Sequence, residues 1–211
     1  MSFEATVYRI LIGAPSDIEK EIEIARTEIY KWNDLNSCHS EIFLLPLHWS
    51  INTYPTFGSS PQDSINEQLV SNSDLMICIF GTRIGTVTNN AESGTIEEIE
   101  EHIKRGKEVM VFFKRKVSLN DIDEIQLNRL REFKNRNISN MFFCEYEDEN
   151  EFKRIISDKL NLFINTKWKN GEIKKIDDIK EDLKKEIASL RTENKILEQK
   201  YNDLEDALII K

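Results

Sequence analysis

Two adjacent glutamates, Glu97 and Glu98, open a helical pattern within the stretch GTRIGTVTNNAESGTIEEIEEH (81–102). An acid in the first turn of a helix interacts favourably with the helix dipole, so stability alone explains either residue. A carboxylate beside a bound ribose also has a chemical use. It can stabilise, or trap covalently, the oxocarbenium-like centre that forms when an N-glycosidic bond breaks. If the leaving group is nicotinamide, which is already cationic in the substrate, no general acid is required and one glutamate is enough.

The loop in front of these glutamates has the composition of a ligand-binding loop. Three of the chain's seven glycines lie in it, and they are Gly81, Gly85 and Gly94. Glycine lets the backbone turn sharply or approach a ligand closely. Arg83 either binds a phosphate or carboxylate or pairs with an acid on the surface. We expect Ser93 or Gly94 to cap the helix, and its apolar face to consist of Ile96, Ile99 and Ile103.

Short apolar runs alternate with helical patterns along most of the chain. The runs are 6–13, 41–47, 74–80, 107–113 and 139–146, and the helical segments are about 16–32, 61–73, 94–105, 121–136 and 148–165. Near-continuous apolar runs are typical of strands that are buried on both faces. The alternation predicts an α/β three-layer sandwich with a five-stranded parallel sheet, and five strands fit the flavodoxin-like order 2-1-3-4-5.

This strand order predicts where a ligand binds. In such sheets the ligand lies outside the carboxyl ends of the strands where the chain changes direction, here strands one and three. The loops GAPSD (13–17) and GTRIGTVT (81–88) follow those strands. Ser16 and Asp17 fit the start of a helix, with Ser16 as its cap, and they also fit a phosphate site at that helix terminus. His48 and Trp49, after strand two, either line the crevice or are simply packed.

Composition narrows the class of protein. The length of 211 residues fits one domain with an appendage, and the net charge of −9 disfavours nucleic-acid binding. No apolar run reaches about 18 residues, and the N-terminus lacks the pattern of a signal peptide, so we expect a cytoplasmic protein without a membrane span. Three separated cysteines and three histidines argue against disulfides and against a metal site. Neither a G-x-G-x-x-G motif nor a P-loop motif is present.

The C-terminal part has a different pattern. Leucine recurs every seven residues, at Leu183, Leu190, Leu197 and Leu204, and Asn194 stands within the second apolar series. This pattern predicts a parallel two-stranded coiled coil at 172–211, following an α/β domain at 1–168, with two copies paired through residues 176–208. The alternative is one amphipathic helix that packs on its own domain. Acids interrupt KWKNGEIKKIDDIKED, which disfavours a DNA-binding basic zipper.

Several segments together resemble a known family. ILIGAPSDIEKE, LPLHWS, GSSPQDSINEQLVSNSDLMICIFGTRIGTVT and SGTIEEIEEHIKRGKEVMVFF resemble the TIR-like "domain of unknown function 4062" family over about residues 6–165. That family is found in bacterial defence proteins and resembles both TIR domains and nucleoside 2-deoxyribosyltransferases. Their shared glutamate lies in a G-T-x-x-E-[IL] setting. The resemblance therefore implies that Glu98, and not Glu97, is the catalytic carboxylate.

The residues and the resemblance together leave three functions open. The first is an N-glycosidase that cleaves NAD, as substrate and not cofactor, in anti-phage defence, where Arg83 and Ser16 hold phosphate or ribose and Gly13, Gly85 and Thr86 give backbone access. The second is a non-catalytic nucleotide sensor or scaffold that dimerises through its coiled coil and recruits a protein partner. The third is a glycosidase or deoxyribosyltransferase for nucleoside monophosphates. The residues do not separate these three.

Overall fold

The computed structural model describes residues 2–58, 60–115 and 122–209. Side chains are described up to residue 201, except those of residues 167 and 169–178. The chain divides into two compact units, Met1–Lys159 and Leu160–Lys211.

The first unit contains the predicted five-stranded sheet. All neighbouring strands are parallel and their order is β2-β1-β3-β4-β5, so the predicted flavodoxin-like topology is confirmed. The strands are β1 Thr6–Gly13, β2 Ile42–Leu47, β3 Leu75–Phe80, β4 Glu108–Lys114 and β5 Phe143–Tyr146. All six residues of β3 are buried, as expected of a central strand covered on both faces.

Helices cover both faces of this sheet. They are α1 Glu19–Ser40, α2 Trp49–Asn52, α3 Pro61–Gln68, α4 Gly94–Lys104, α5 Glu124–Asn137 and α6 Glu149–Phe163. The predicted helix at 61–73 is shorter than expected, because α3 ends at Gln68 and a 3₁₀ turn follows at Val70–Asn72. Phe80 and Phe113 stack on one face, where α4 and α5 pack, and Phe112 contacts Phe152 of α6 edge-on on the other.

The apolar face of α4 differs from the predicted one at its last turn. Ile96 and Ile99 are buried as expected, whereas Ile103 is 61% exposed and His102 is fully buried in its place. The spacing of the isoleucines predicts the side of the helix that packs. It does not show which residue of the last turn is covered, and there the buried position is that of His102.

The second unit is helical throughout its described residues. A π-helical turn, Ile164–Trp168, leads into α7, Lys169–Ile209. Every side chain from 179 to 201 is exposed. Leu183, Leu190 and Leu197 keep 51%, 53% and 57% of their surfaces exposed, so a regular apolar seam is uncovered along this helix. Within the described part of the chain, no helix has the length and apolar character needed to cross a membrane.

Candidate active site at the carboxyl edge of the sheet

Helix α4 carries Glu98 to the end of β1. Ser93 is the N-cap of this helix, because its Oγ accepts a hydrogen bond from the backbone N–H of Ile96 at 3.2 Å. A Cβ added to Gly13 would lie only 2.9 Å from Oε2 of Glu98. Gly13 ends β1 and is paired with Cys78 of β3. The structure therefore brings Glu98 and Gly13 together at the edge where the strand order reverses.

The environment of Glu98 changes its acidity. The residue is only 6% exposed. Burial raises the pKa of its carboxyl group from 4.5 to about 7, a hydrogen bond from Gln62 acts in the opposite direction, and the nearby charge of Glu97 raises the pKa further. A carboxyl group with this pKa exists in both protonation states near neutral pH. Such a shift is a common property of carboxyl groups in active sites.

Glu97 is hydrogen-bonded through both of its carboxylate oxygens. Oε1 accepts from Nδ2 of Asn66 at 2.8 Å and from Nδ2 of Asn90 at 3.3 Å, and Oε2 accepts from Oγ1 of Thr88 at 2.5 Å. These bonds connect α4 to α3 and to the loop before α4. Glu97 thus holds the loop in place, and both of its oxygens accept hydrogen bonds, whereas Glu98 accepts one long bond, from Gln62 to Oε1.

Asp17 connects the loop after β1 to the loop after β3. Its Oδ2 accepts from the backbone N–H of Thr82 at 2.7 Å and from Oγ1 of Thr82 at 2.8 Å. Our prediction that Ser16 caps α1 was wrong. The helix begins at Glu19, its N-cap is Ile18 without a side-chain bond, and Ser16 is exposed. Asp17, which was expected in the first turn of this helix, lies before it and bonds to Thr82 instead, and Glu19 and Glu21 are the acids of the first turn.

Helix α5 supplies acceptors for the second predicted binding loop. Nη2 of Arg83 lies 3.9 Å from Oδ2 of Asp123, and both side chains are 43% exposed, so this ion pair is weak. Oε1 of Gln126 accepts from the backbone N–H groups of Ile84 at 3.2 Å and Gly85 at 3.1 Å. The amide of Gly85, which has a φ of 110°, is therefore already hydrogen-bonded in this structure.

The remaining predicted residues lie at the rim of the sheet. Thr86 is exposed, and its carbonyl oxygen accepts from the N–H of Gly94 at 3.1 Å. Trp49 begins α2 directly after β2 and is 47% exposed, with its ring 5.7 Å from that of His48. His48 is buried and its Nδ1 is 2.8 Å from Oγ of Ser50. Trp49 thus presents an open aromatic surface, whereas His48 is mostly packed.

Sequence reasoning missed two glutamines of the site. Gln62 contacts Glu98, and Gln126 holds the loop that contains Gly85. They lie 36 and 41 residues from these partners, so no local pattern marks them. Among the residues that the structure describes, no cluster of three or more His, Cys, Asp or Glu side chains is arranged to hold a metal ion.

The topology first defines the class of protein. It is a flavodoxin-like α/β fold, and Glu98 lies at the carboxyl edge of its sheet, the edge at which folds of this topology bind ligands. The sequence then gives the family. The family model described as "Domain of unknown function (DUF4062)" matches residues 16–161, and the chain belongs to this family.

Comparison with solved structures gives distant similarities. A flavodiiron protein from Giardia intestinalis is 9% identical with a TM-score of 0.34, and the match covers 73% of this chain and 34% of that chain. This chain thus spans about a third of that protein. A short-chain flavodoxin associated with a bacterial microcompartment is 9% identical with a TM-score of 0.31, covering 71% and 91% of the two chains. No curated protein matches this chain.

Proposed function

We propose that this protein is a nucleotide N-glycosidase that cleaves NAD, with Glu98 as the catalytic carboxylate. The observation that carries the proposal is the buried carboxyl group of Glu98, with Oε2 against the backbone of Gly13 at the edge where strand order reverses. A carboxylate in a poorly hydrated site interacts strongly with a developing positive charge. Near pH 7 a large fraction of Glu98 is ionised, because its pKa is about 7.

The chemistry follows from the charges. The bond between C1′ of the ribose and the pyridinium nitrogen breaks, and both electrons leave with nicotinamide, which becomes neutral. The carboxylate of Glu98 stabilises the oxocarbenium-like centre or forms an ester with it. Water then adds at C1′ and releases a proton to solvent, which gives ADP-ribose; where an ester has formed, its bond from C1′ to the Glu98 oxygen breaks in this step and the carboxylate is restored. No proton has to be donated to the leaving group.

We assign the remaining predicted residues to substrate binding. Arg83 is half-exposed and only weakly paired, so a phosphate can compete for its guanidinium group. Ser16 is open to solvent at the same edge, and the indole of Trp49 offers a surface on which a base can stack. Asp17 keeps the first loop in place through Thr82. We expect this activity in the cytoplasm, as part of the TIR-like anti-phage defence that the sequence resemblance implies.

Two other functions each have an observation in their favour. A carboxyl group with a pKa of about 7 is also partly protonated at neutral pH, which suits a general acid acting on a nucleoside monophosphate with a neutral base. The uncovered leucines of α7 suit a scaffold that assembles and binds a nucleotide without cleaving it.

A substrate panel separates the three functions. The purified full-length chain is incubated with NAD and with nucleoside monophosphates, and free nicotinamide and free bases are followed by chromatography. We expect nicotinamide and ADP-ribose in equal amounts, with the monophosphates intact. Base release from a monophosphate while NAD stays intact would support the third function. Nucleotide binding without any product would support the sensor or scaffold.

Gly13→Ala should impair cleavage while the protein stays folded. The added Cβ would lie 2.3 Å from Cε of Met76 and 2.9 Å from Oε2 of Glu98. Both atoms are ends of flexible side chains, so we expect a stability cost of only about 1 kcal/mol. Displacing the carboxylate should lower kcat by about 100-fold. Unfolding curves and nicotinamide release are compared with the wild type, and an unchanged kcat would show that Oε2 does not act at this position.

We also propose that two copies pair in parallel through residues 176–208, with Asn194 fixing the register. Leu190→Lys places two charges in the seam and should weaken the dimer by at least about 100-fold. Thr192→Lys adds the same charge two residues away, at a position that faces outward in the heptad pattern, and should leave the mass unchanged. Sedimentation equilibrium gives the mass of each variant. A monomeric wild type at tens of micromolar, or equal masses of both variants, would contradict the proposed coiled coil.

A further inference from the structure

The carboxamide of Gln62 is held by contacts with two helices. Its Nε2 donates to Oδ1 of Asn66 at 3.1 Å, within α3, and to Oε1 of Glu98 at 3.4 Å, across to α4. Its Oε1 lies against Gly94, where an added Cβ would be only 2.4 Å away. The backbone of Gly94 therefore leaves room for this carboxamide, and the side chain of Gln62 has a defined place beside Glu98.

These contacts make the two oxygens of Glu98 different. Oε1 accepts the bond from Gln62, whereas Oε2 lies against Gly13 at the end of β1. A carboxylate without such a bond would be free to rotate about its last torsion, because terminal carboxyl torsions are broad. The donor on one side selects the orientation in which the other oxygen lies against Gly13 at the end of β1.

The orientation is supported by a second carboxylate. Asn66 accepts from Gln62 through Oδ1 and donates through Nδ2 to Oε1 of Glu97 at 2.8 Å. The amide group of Asn66 is therefore fixed at both ends, and it directs its oxygen toward Gln62. The result is a chain of side-chain amides that joins the two adjacent glutamates of α4 through α3.

We propose that Gln62 is the positioning residue for Glu98, and that it presents Oε2 as the oxygen that faces the reacting carbon of the substrate. The identity of that carbon, C1′ of the nicotinamide riboside, rests on the proposed function. The placement of the carboxylate does not. Because Gln62 donates to the charged form of Glu98, it also favours ionisation against the effect of burial.

The first test measures Glu98 directly in the ligand-free, full-length protein. Carboxyl ¹³C chemical shifts of the glutamates are followed against pH, and the Glu98 signal is identified by its loss in Glu98→Gln. Gln62→Leu should move the titration midpoint of Glu98 upward. Gln68→Leu is the matched control, since it makes the same change in the same helix, where Gln68 bonds to the backbone of Tyr54. An unchanged midpoint in Gln62→Leu, or an equal change in the control, would overturn the proposal.

A second variant tests the same contact without removing a polar group. Gly94→Ala adds a methyl group only 2.4 Å from Oε1 of Gln62, at the first residue of α4, where alanine is a good helix former. It should displace the carboxamide and move the Glu98 midpoint in the same direction as Gln62→Leu. A midpoint that stays at the wild-type value in Gly94→Ala, with the fold verified, would contradict the proposed contact.

Kinetics then connect the position to the reaction. Gln62→Leu should lower kcat for nicotinamide release about tenfold at pH 7 and change KM by less than about twofold, since the contact lies at the carboxylate. If the wild type cleaves NAD and the variant keeps its kcat, the positioning role fails while the proposed function stands. If the wild type releases nothing but the ¹³C midpoint still moves in both variants, the proposed function fails and the placement of Glu98 by Gln62 stands.

Discussion

Nicotinamide release should fall about 100-fold when the pH is lowered from about 9 to about 5. The reason is the protonation state of Glu98. Its pKa is raised to about 7, mainly by burial, so the carboxylate is almost fully ionised at pH 9 and almost fully protonated at pH 5. Only the ionised form can stabilise a positive charge at C1′ of the ribose. Initial rates with saturating NAD across this range give the profile.

The direction of this profile separates two kinds of chemistry. A neutral base that leaves a nucleoside monophosphate gains from a proton donor, so that reaction would slow as pH rises through 7. A cationic nicotinamide needs no donor, so its release should become faster over the same range. A flat profile between pH 5 and 9, measured on protein that remains folded, would contradict control of the reaction by Glu98.

Glu98→Gln should stabilise the protein at pH 8 by about 2 to 3 kcal/mol in free energy of unfolding. The folded pKa of about 7 lies above the ordinary value of 4.5, so the folded state binds the proton more tightly than the unfolded chain. The stability that the folded state gains by binding the Glu98 proton more tightly is therefore lost as pH rises from about 4.5 to 7. Above pH 7 the wild type keeps a buried charge, and glutamine has nearly the same shape without it.

The same helix contains a group with the opposite dependence, so the comparison must be made between variants. Burial first, and then the charges of Lys107 and Arg105, lower the pKa of His102 to about 4. His102 therefore costs stability as pH falls below about 6.5, because the unfolded chain binds that proton more readily. Since both proteins contain His102, its effect cancels in their difference.

Urea unfolding of the wild type and Glu98→Gln at pH 8 and pH 5 measures that difference. We expect Glu98→Gln to have a much larger free energy of unfolding than the wild type at pH 8. The difference should be smaller at pH 5, where Glu98 is mostly protonated. An equal gain at both values would show that the carboxyl group titrates outside this range. A loss of stability at pH 8 would show that the ionised group is favourably bound. Replacing a catalytic group commonly raises stability and lowers activity.

The strands were predictable because the relevant information is local, and five strands that alternate with helices then fit the flavodoxin-like order. Each strand of this sheet is a short apolar run, and parallel strands buried on both faces leave that signature in the sequence. The start of α1 was not predictable in the same way. Asp17 looks like a helix-start acid, but it bonds to Thr82, which is 65 residues away. The helix that was expected from about residue 16 begins at Glu19.

The site shows the same limit. The glycines and the two glutamates predict a candidate site in the sequence, and the resemblance identifies Glu98 as the catalytic candidate. The sequence alone does not show why the environments of Glu97 and Glu98 differ. Glu97 is hydrogen-bonded to side chains of α3 and the preceding loop, whereas Glu98 lies beneath the end of β1 with one long bond from Gln62. Tertiary contacts determine that both oxygens of Glu97 are hydrogen-bonded and that Glu98 has only one long bond.

The most direct test of the proposed function is nicotinamide release by the wild type and Glu98→Gln, side by side. Both full-length proteins are incubated with NAD at pH 8 and equal concentration, and nicotinamide and ADP-ribose are quantified by chromatography. We expect equal amounts of both products from the wild type, and at least about 100-fold less from the folded variant. Release at the wild-type rate by Glu98→Gln, or no release by a wild type shown to be dimeric, would contradict an NAD glycosidase built on Glu98.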